Sequence, residues 1–208
     1  MGALVVALAL FATYQLGSGE SVFSKVTAPR CYHTPDVDWS ESVNAYLRKI
    51  PGTMRMGYLD DSWLSGFSLD NPKLAGLGSM WSFKPPYVFC TTNLTIIEAA
   101  VFAEDPLRIS VDWKSCAGSN GTLGSTVSAS RLRLYFSVVS TTEGSVEIRL
   151  RAIKPDNLED PKLFVTGTSH GMSAFVKAIS VVGMPHLELA WNSYLRDDVP
   201  SLIDALAA

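Results

Sequence analysis

The sequence predicts an α+β protein in which a long, strongly curved antiparallel sheet wraps around helices from both chain ends. Apolar residues recur at helical spacing near the start of the chain and again near its C-terminus. Between these regions, several segments alternate apolar and polar residues, as half-buried strands do. Turn-forming residues separate these segments, and the alternation is typical of antiparallel strands rather than buried parallel ones.

The first predicted helix lies within residues 34–52. Asp38 and Glu41 form a D-x-x-E start that resembles a capping box, and Pro51-Gly52 predicts the end of the helix. Its apolar face comprises Trp39, Val43, Tyr46, Leu47 and Ile50.

The central region predicts several strands. Residues 88–102 are rich in β-branched and aromatic side chains, and residues 107–114 alternate cleanly, which together predicts a long hairpin that turns near Glu104. Residues 131–139 and 145–153 alternate in the same way, and residues 162–166 predict a last short strand. The C-terminal segment from Met184-Pro185 predicts a helix, which Pro200 should kink or interrupt.

The chain has three cysteines. If the predicted hairpin turns near Glu104, Cys90 and Cys116 meet at its open end, so we expect them to form a disulfide. Strict alternation places the two cysteines on opposite faces, so a bulge near Lys114 and Ser115 would be needed to bring them onto the same face. Cys31 is the main rival partner; left unpaired, it would be a spare thiol that could link two chains into a dimer.

The N-terminus predicts secretion. Residues 3–12 form an apolar run of the length of a signal-peptide core, so we interpret residues 1–19 as a signal peptide and 20–208 as a single domain. The alternative is a buried N-terminal strand or helix. Asn93 and Asn120 begin N-x-T glycosylation motifs, which agrees with a secreted, extracellular location. Since no later stretch is long and apolar enough, we expect no transmembrane anchor.

The composition indicates which classes of binding partner to expect. The net charge is −3 and the pI about 5.6, which gives no electrostatic reason to expect a nucleic-acid partner. Charged residues make up only 18% and the mean hydropathy is +0.17. The apolar excess must therefore fill a core or line a cavity for an apolar ligand.

Residues 167–171 fit the G-x-S-x-G pattern that places a nucleophilic serine between a strand and a helix in some hydrolases. No Asp or Glu lies between Ser169 and His186, and too few residues follow Ser169 for the later strands of an α/β-hydrolase. We interpret the motif as a glycine-flanked turn and expect no enzymatic activity. The three histidines are scattered, so we expect neither a metal nor a cofactor.

Arg131, Arg133, Arg149 and Arg151 alternate along two neighbouring predicted strands. They should share an outer face, with Glu147 partly offsetting their charge. Such a basic strip can contact an anionic lipid head group, although it is more often the solvated side of a sheet.

The order of elements resembles the tubular lipid-binding superfamily. That group includes the bactericidal/permeability-increasing and lipopolysaccharide-binding proteins, the insect takeout and juvenile-hormone-binding proteins, and the group-seven mite allergens of arthropods. The mite-allergen branch is the most similar in its "nlkv-x-GL" strand after the first helix, a pattern matched by Asn71, Lys73, Leu74, Gly76 and Leu77. The takeout branch usually has an early cysteine pair, which a lone Cys31 does not supply.

The resemblance implies a half-barrel with an apolar groove that binds a lipid, a fatty acid, a lipopolysaccharide-like molecule or another hydrophobic small molecule. The alternative is a secreted interaction or immune-modulating module with a filled core. The expected lining residues, which could instead pack on the helices, are Leu94, Ile96, Ile109, Val111, Trp113, Leu132, Leu134, Phe136, Val146, Ile148 and Leu150.

Overall fold

The computed structural model describes residues 38–57, 66–91, 94–140 and 146–207. The predicted signal peptide, Cys31 and Asn93 lie outside the described residues. The described strands are β1 (Thr53–Arg55), β2 (Phe67–Ala75), β3 (Met80–Ser82), β4 (Tyr87–Cys90), β5 (Thr95–Ala103), β6 (Leu107–Ser115), β7 (Asn120–Val127), β8 (Ala129–Ser140), β9 (Val146–Glu159) and β10 (Lys162–Val165). The described helices are α1 (Trp39–Leu47), α2 (His170–Val182), α3 (Met184–Asp197) and α4 (Val199–Ala207), with a short 3-10 helix at Leu77–Ser79.

The predicted α+β class is confirmed, and all described strand pairs are antiparallel. The strands form two sheets rather than one. The first sheet has the order β1-β2-β6-β7-β10. The second has the order β3-β5-β8-β9, and β4 pairs with β5.

Both sheets and three of the helices enclose one apolar core. The first sheet contributes Leu74, Leu107 and Val127, and the second contributes residues such as Ile97 and Phe136. Helices α1, α3 and α4 add the side chains Val43, Leu47, Trp191, Leu195, Val199 and Ile203. Helices from both ends of the described chain therefore cover the inner faces of the sheets, as the sequence predicts.

Helix α3 is anchored to the first sheet by a polar contact within this core. The Trp191 indole N–H donates to Ser125 Oγ at 2.9 Å, and both residues are buried. A buried indole N–H without a partner would destabilise the fold, so this bond sets how the helix lies on β7.

The predicted hairpin over residues 88–114 is wrong. The segment breaks at residue 91, where the Thr91 N–H bonds Leu94 O at 2.9 Å, and the hairpin instead joins β4 to β5. Strand β5 then pairs with β8, while β6 pairs with β2 and β7 in the other sheet. The predicted turn near Glu104 is confirmed, but it connects a strand of the second sheet to a strand of the first.

The predicted Cys90–Cys116 disulfide is wrong for the same reason. Cys90 lies on β4 in the second sheet, and Cys116 follows β6 in the first. Among the described residues, Cys116 is a free, exposed thiol whose Sγ donates to Gly66 O at 3.1 Å. Cys90 is disulfide-bonded, and its sequence-predicted rival partner, Cys31, is not among the described residues.

Strand β9 extends further than the sequence indicates. The segment after Ile153 reads as a break because of Pro155, yet pairing with β8 continues to Glu159. The register shifts twice along β8 and β9, so the burial pattern changes phase and Ile153 rather than Ala152 enters the core. Proline is tolerated there because β9 is an edge strand with bulges.

The helix ends agree with the sequence signals. Asp38 caps α1 by accepting from the Ser40 and Glu41 backbone N–H groups at 3.0 and 3.4 Å. The C-terminal helix starts with proline in its first turn and breaks at Asp198 into α3 and α4. The break precedes Pro200, whose ring opposes a continuous helix.

Candidate functional site

One end of the first sheet leaves its inner apolar face incompletely covered. Near the other end, Leu74, Leu107 and Val127 are fully buried in the core. Along the same face, the side chains at the first end are only partly buried, and Phe67 is 39% exposed. We name these residues the open strip, which consists of Phe67, Leu69, Val111, Trp113, Leu123 and Val165.

Strand register makes the open strip continuous. Leu69 lies opposite Trp113 across β2 and β6, and the Phe67 and Trp113 rings lie 6.4 Å apart. Val111 lies opposite Leu123, which in turn lies opposite Val165 on β10. Directly opposed side chains in antiparallel strands have Cβ atoms about 5 Å apart, so these residues form one apolar surface.

Trp113 is fixed at the edge of the open strip by its polar atom. The indole N–H donates to Thr166 O at 3.2 Å, just after β10. Gly121 lies opposite Trp113, and a Cβ at Gly121 would lie 2.9 Å from the indole nitrogen and 2.0 Å from Thr166 O. Only glycine therefore allows β7, Trp113 and the end of β10 to approach this closely.

The predicted lining residues divide into four groups. Val111 and Trp113 lie in the open strip, and Ile109 continues it towards the core. Ile148 also packs against the core from partial burial. The side chains that fill the core of the second sheet are Leu132, Leu134, Phe136 and Leu150.

The remaining three do not share that surface. Leu94 and Val146 are exposed, at 44% and 41% of their accessible areas. Ile96 lies on the outer face of β5, because Ile97, at 0% exposure, takes the inward position. Of the predicted lining residues, only those of β6 thus lie in or beside the open strip, where side chains from β2, β7 and β10 join them.

Sequence reasoning missed Phe67, Leu69, Leu123 and Val165. Leu123 lies in "SNGTLGS", which reads as a turn because of its glycines, although it belongs to β7. The available signal was its spacing of two residues from Ser125 and Val127, which places all three on the same strand face. Phe67 and Leu69 alternate with Ser68 and Asp70, but the bulge at Asn71, which has φ 57°, hides the continuation into Leu74.

A polar depression of about 350 Å³ lies beside this end of the first sheet, lined by Asp70, Asp112, Trp113, Lys114, Asn120, Gly121 and Thr122. Asp112 accepts from Asn71 Nδ2 at 2.9 Å and from Lys73 Nζ at 3.5 Å. The Asn71 hydrogen bond is the main reason that the pKa of Asp112 lies below its usual value. Asp112 is thus an ionised structural acceptor joining β2 to β6.

The G-x-S-x-G motif joins β10 to α2. Ser169 is the N-cap of α2, and its Oγ accepts from the Met172 N–H at 3.4 Å. Gly167 has φ +74°, and a Cβ there would lie 1.8 Å from Asn120 O. Helix capping and close packing account for the serine and the first glycine without catalysis.

Helix α2 presents apolar side chains to solvent. Val176 and Ser180 face the protein, whereas Phe175, Val181 and Val182 are 52%, 69% and 85% exposed. Among the helices in the described ranges, none has the length and hydrophobicity needed to cross a membrane. Within the same ranges, no three His, Cys, Asp or Glu side chains cluster as metal ligands would.

The predicted basic strip is present on the outer face of the second sheet. Arg131, Arg149 and Arg151 are exposed, and Arg133 is partly buried. Arg133 bonds Asp156 at 2.6 Å and lies 3.6 Å from Glu98, and Arg151 Nε donates to Ser137 Oγ at 2.9 Å.

The chain matches no protein-family model, and no curated protein matches it. Among solved structures, it is similar to Takeout 1 of Epiphyas postvittana, at 15% sequence identity and a TM-score of 0.33. The likeness covers 72% of this chain and 76% of that chain. A likeness this distant establishes neither a family nor a ligand.

Proposed function

We propose that this protein is a secreted, non-enzymatic binding protein for a hydrophobic ligand such as a lipid or fatty acid. The ligand-contacting surface in this proposal is the open strip of the first sheet. Ile109 continues the strip to the edge of the core. The proposed family is the tubular lipid-binding superfamily, and the mite-allergen branch stays a prediction that rests on residues such as Asn71, Lys73 and Gly76.

One observation carries the proposal: an apolar surface on the core-facing side of a sheet remains partly exposed. Leu74 and Ile109 lie opposite each other on this face, and Leu74 is completely buried while Val111, two residues along β6, is not. An apolar ligand that covered this surface would remove it from water. Burial contributes about 0.8 kcal/mol for each ligand CH₂, so an acyl chain could bind without a charged anchor.

The experiment that tests this proposal has two parts. Native mass spectrometry of the secreted protein, before and after organic extraction, would reveal a co-purifying lipid. Titration with diphenylhexatriene, a neutral apolar probe, would then measure binding to the extracted protein. We expect Val111→Glu to weaken probe binding by about tenfold or more, because it places an unpaired charge within the open strip.

Ser110→Glu is the matched control. Ser110 neighbours Val111 on β6 but lies on the opposite face, where it is paired with Lys73. The same charge there should leave probe binding unchanged. Equal binding by wild type and Val111→Glu, or an extracted protein that takes up no probe, would contradict the proposal.

The secreted interaction module is the second candidate function. The observation that favours it is the filled core of the second sheet, where Leu132, Leu134 and Phe136 are at most 1% exposed. This function predicts a protein that emerges empty and binds no apolar probe. Because Cys116 is the exposed free thiol, a disulfide-linked dimer would be tested first with Cys116→Ser.

Two parts of the proposal have their own support. Asn120 is exposed at the start of β7, which leaves its glycosylation motif accessible and supports the proposed secretion. The cap role of Ser169 supports the absence of catalysis. Loss of a measurable esterase activity in Ser169→Ala, but not in Ser173→Ala, would overturn the non-enzymatic part.

A further inference from the structure

The outer face of the second sheet exposes an aromatic cluster. Trp81 and Phe83 are 49% and 37% exposed, and their rings lie 6.5 Å apart. Trp81 also contacts Phe102, its partner across β3 and β5, at 6.4 Å. On β4, which pairs with another part of β5, Tyr87 is 48% exposed and stacks on Phe89 at 6.0 Å. These five rings share one face, where they form two groups: Trp81, Phe83 and Phe102 in one, and Tyr87 and Phe89 in the other.

Basic side chains occupy the other half of this face. Arg131 lies directly opposite Phe102 across β5 and β8, and the basic strip continues over β9. Among the described residues, no ion pair joins Arg131, Arg149 or Arg151 to a carboxylate. We name the whole surface the aromatic–basic face, comprising Trp81, Phe83, Lys84, Tyr87, Phe89, Phe102, Arg131, Arg133, Arg149, Arg151 and Lys154.

The charge of the aromatic–basic face opposes that of the whole chain. Its six basic side chains exceed the four carboxylates of the same sheet face, which are Glu98, Glu147, Asp156 and Glu159. The chain as a whole has a net charge of −3. A local positive excess on an acidic protein attracts an anionic surface in one orientation.

From these two features we propose that the aromatic–basic face docks on the surface of an anionic lipid bilayer. Trp, Tyr and Phe rings favour the boundary between head groups and acyl chains, where the exposed edges of Trp81 and Phe83 would lie. The guanidinium groups that lack an ion pair would contact lipid phosphates and carboxylates. An acidic protein partner offers the same charges but no acyl boundary for the rings.

The docking surface lies on the second sheet, whereas the proposed ligand surface lies on the first. For a carrier that loads or unloads its ligand at a membrane, docking through the outer face of the second sheet would leave the open strip of the first sheet unobstructed. The two surfaces can be altered separately, so failure of one proposal is distinguishable from failure of the other.

The test is vesicle co-sedimentation of the secreted protein, using phosphatidylcholine alone and phosphatidylcholine with about 30 mol % phosphatidylserine. We expect binding to the anionic vesicles that weakens with added salt. Arg131→Gln/Arg149→Gln should weaken it by about tenfold or more, because each basic group near an anionic surface contributes about fivefold in affinity. Trp81→Ser/Phe83→Ser should weaken binding as well.

Matched controls change the same chemistry elsewhere. Lys49→Gln/Arg55→Gln removes two exposed charges outside the aromatic–basic face, and Phe175→Ser/Val182→Ser removes exposed apolar groups from α2. Both should bind like wild type. All the altered side chains are exposed, and an unchanged thermal midpoint will show that each variant folds.

Three results would overturn the docking proposal. The first is that the wild type does not sediment with anionic vesicles, as expected if the partner is an acidic protein. The second is that the variants of the aromatic–basic face bind like wild type. The third is that only the α2 variant loses binding. Diphenylhexatriene titration of the same proteins keeps the two proposals apart. A protein that binds the probe but no vesicles contradicts docking alone, and one that binds vesicles but no probe contradicts ligand binding alone.

Discussion

Gly167 and Gly171 flank Ser169 symmetrically in the sequence but occupy different environments. Gly167 has a left-handed backbone, and a side chain there would collide with the backbone oxygen of Asn120. Gly171 lies in the first turn of α2, with open space where a Cβ would be. At the residue scale, one glycine is required by geometry and the other is replaceable.

We therefore predict opposite effects for the same substitution. Gly167→Ala should destabilise the protein by more than about 1 kcal/mol, because it adds backbone strain and a steric clash. Gly171→Ala should be neutral or stabilise by up to about 1 kcal/mol, because alanine favours the helix. Urea denaturation of both variants measures the difference. Equal effects would show that Gly167 does not approach β7 as closely as described.

At the element scale, one side chain attaches α2 to the first sheet. Strand β10 is the edge of that sheet, so an N–H pointing away from β7 needs another partner. Ser180 Oγ accepts from the Leu163 N–H at 2.8 Å and lies 3.0 Å from Val176 O, to which it donates. Ser180 thus gives the Leu163 N–H of the edge strand a hydrogen-bond partner and also orients α2, whose outer side is apolar.

We expect Ser180→Ala to destabilise the protein by about 1–3 kcal/mol, because it leaves a part-buried N–H without a partner. Hydrogen exchange should report faster exchange at the Leu163 amide than in wild type. Ser173→Ala, on the same helix, is the control and should change stability by less than about 0.5 kcal/mol. Unchanged Leu163 exchange in Ser180→Ala would contradict this role.

At the scale of the whole molecule, Tyr46 couples α1 to the second sheet. Its ring meets the Phe136 ring edge-on at 5.0 Å, and its hydroxyl is buried without a hydrogen-bond partner among the described residues. Burial raises the pKa of Tyr46 to about 12, and the nearby Asp204 carboxylate adds to the shift. Ionisation of this hydroxyl is therefore less favourable in the folded protein than in the unfolded chain.

The resulting pH dependence can be tested with Tyr46→Phe. The raised pKa contributes stability that is fully present below about pH 10, the unfolded value, and is lost as pH rises towards 12. Phenylalanine cannot ionise, so the variant should gain on wild type across that window. Near neutral pH the two should differ by less than about 1 kcal/mol, because the hydroxyl has no bond to lose.

Chemical denaturation at about pH 7 and about pH 11 measures both quantities. Burial also raises the pKa values of Tyr135 and Tyr194, but these residues are common to both proteins and cancel in the comparison. A difference between wild type and Tyr46→Phe that stays constant with pH would contradict the assignment.

Local patterns determined the elements. Asp38, Pro185 and Pro200 mark helix boundaries that the structure confirms, because caps and proline act on their own backbone neighbours. Alternation correctly assigned the core side chains of β8, since period two places every second residue on the same face. The α+β class follows from these elements alone.

Only the tertiary structure decided which strands meet. Alternation states that a strand has an apolar face but does not state its partner, so β5 and β6 were joined in one hairpin although they belong to different sheets. The observed pairing places Cys90 and Cys116 in different sheets. It also divides the predicted lining residues between the filled core and the open strip. Strand pairing depends on contacts distant in sequence, and these are settled by how all the apolar faces pack together.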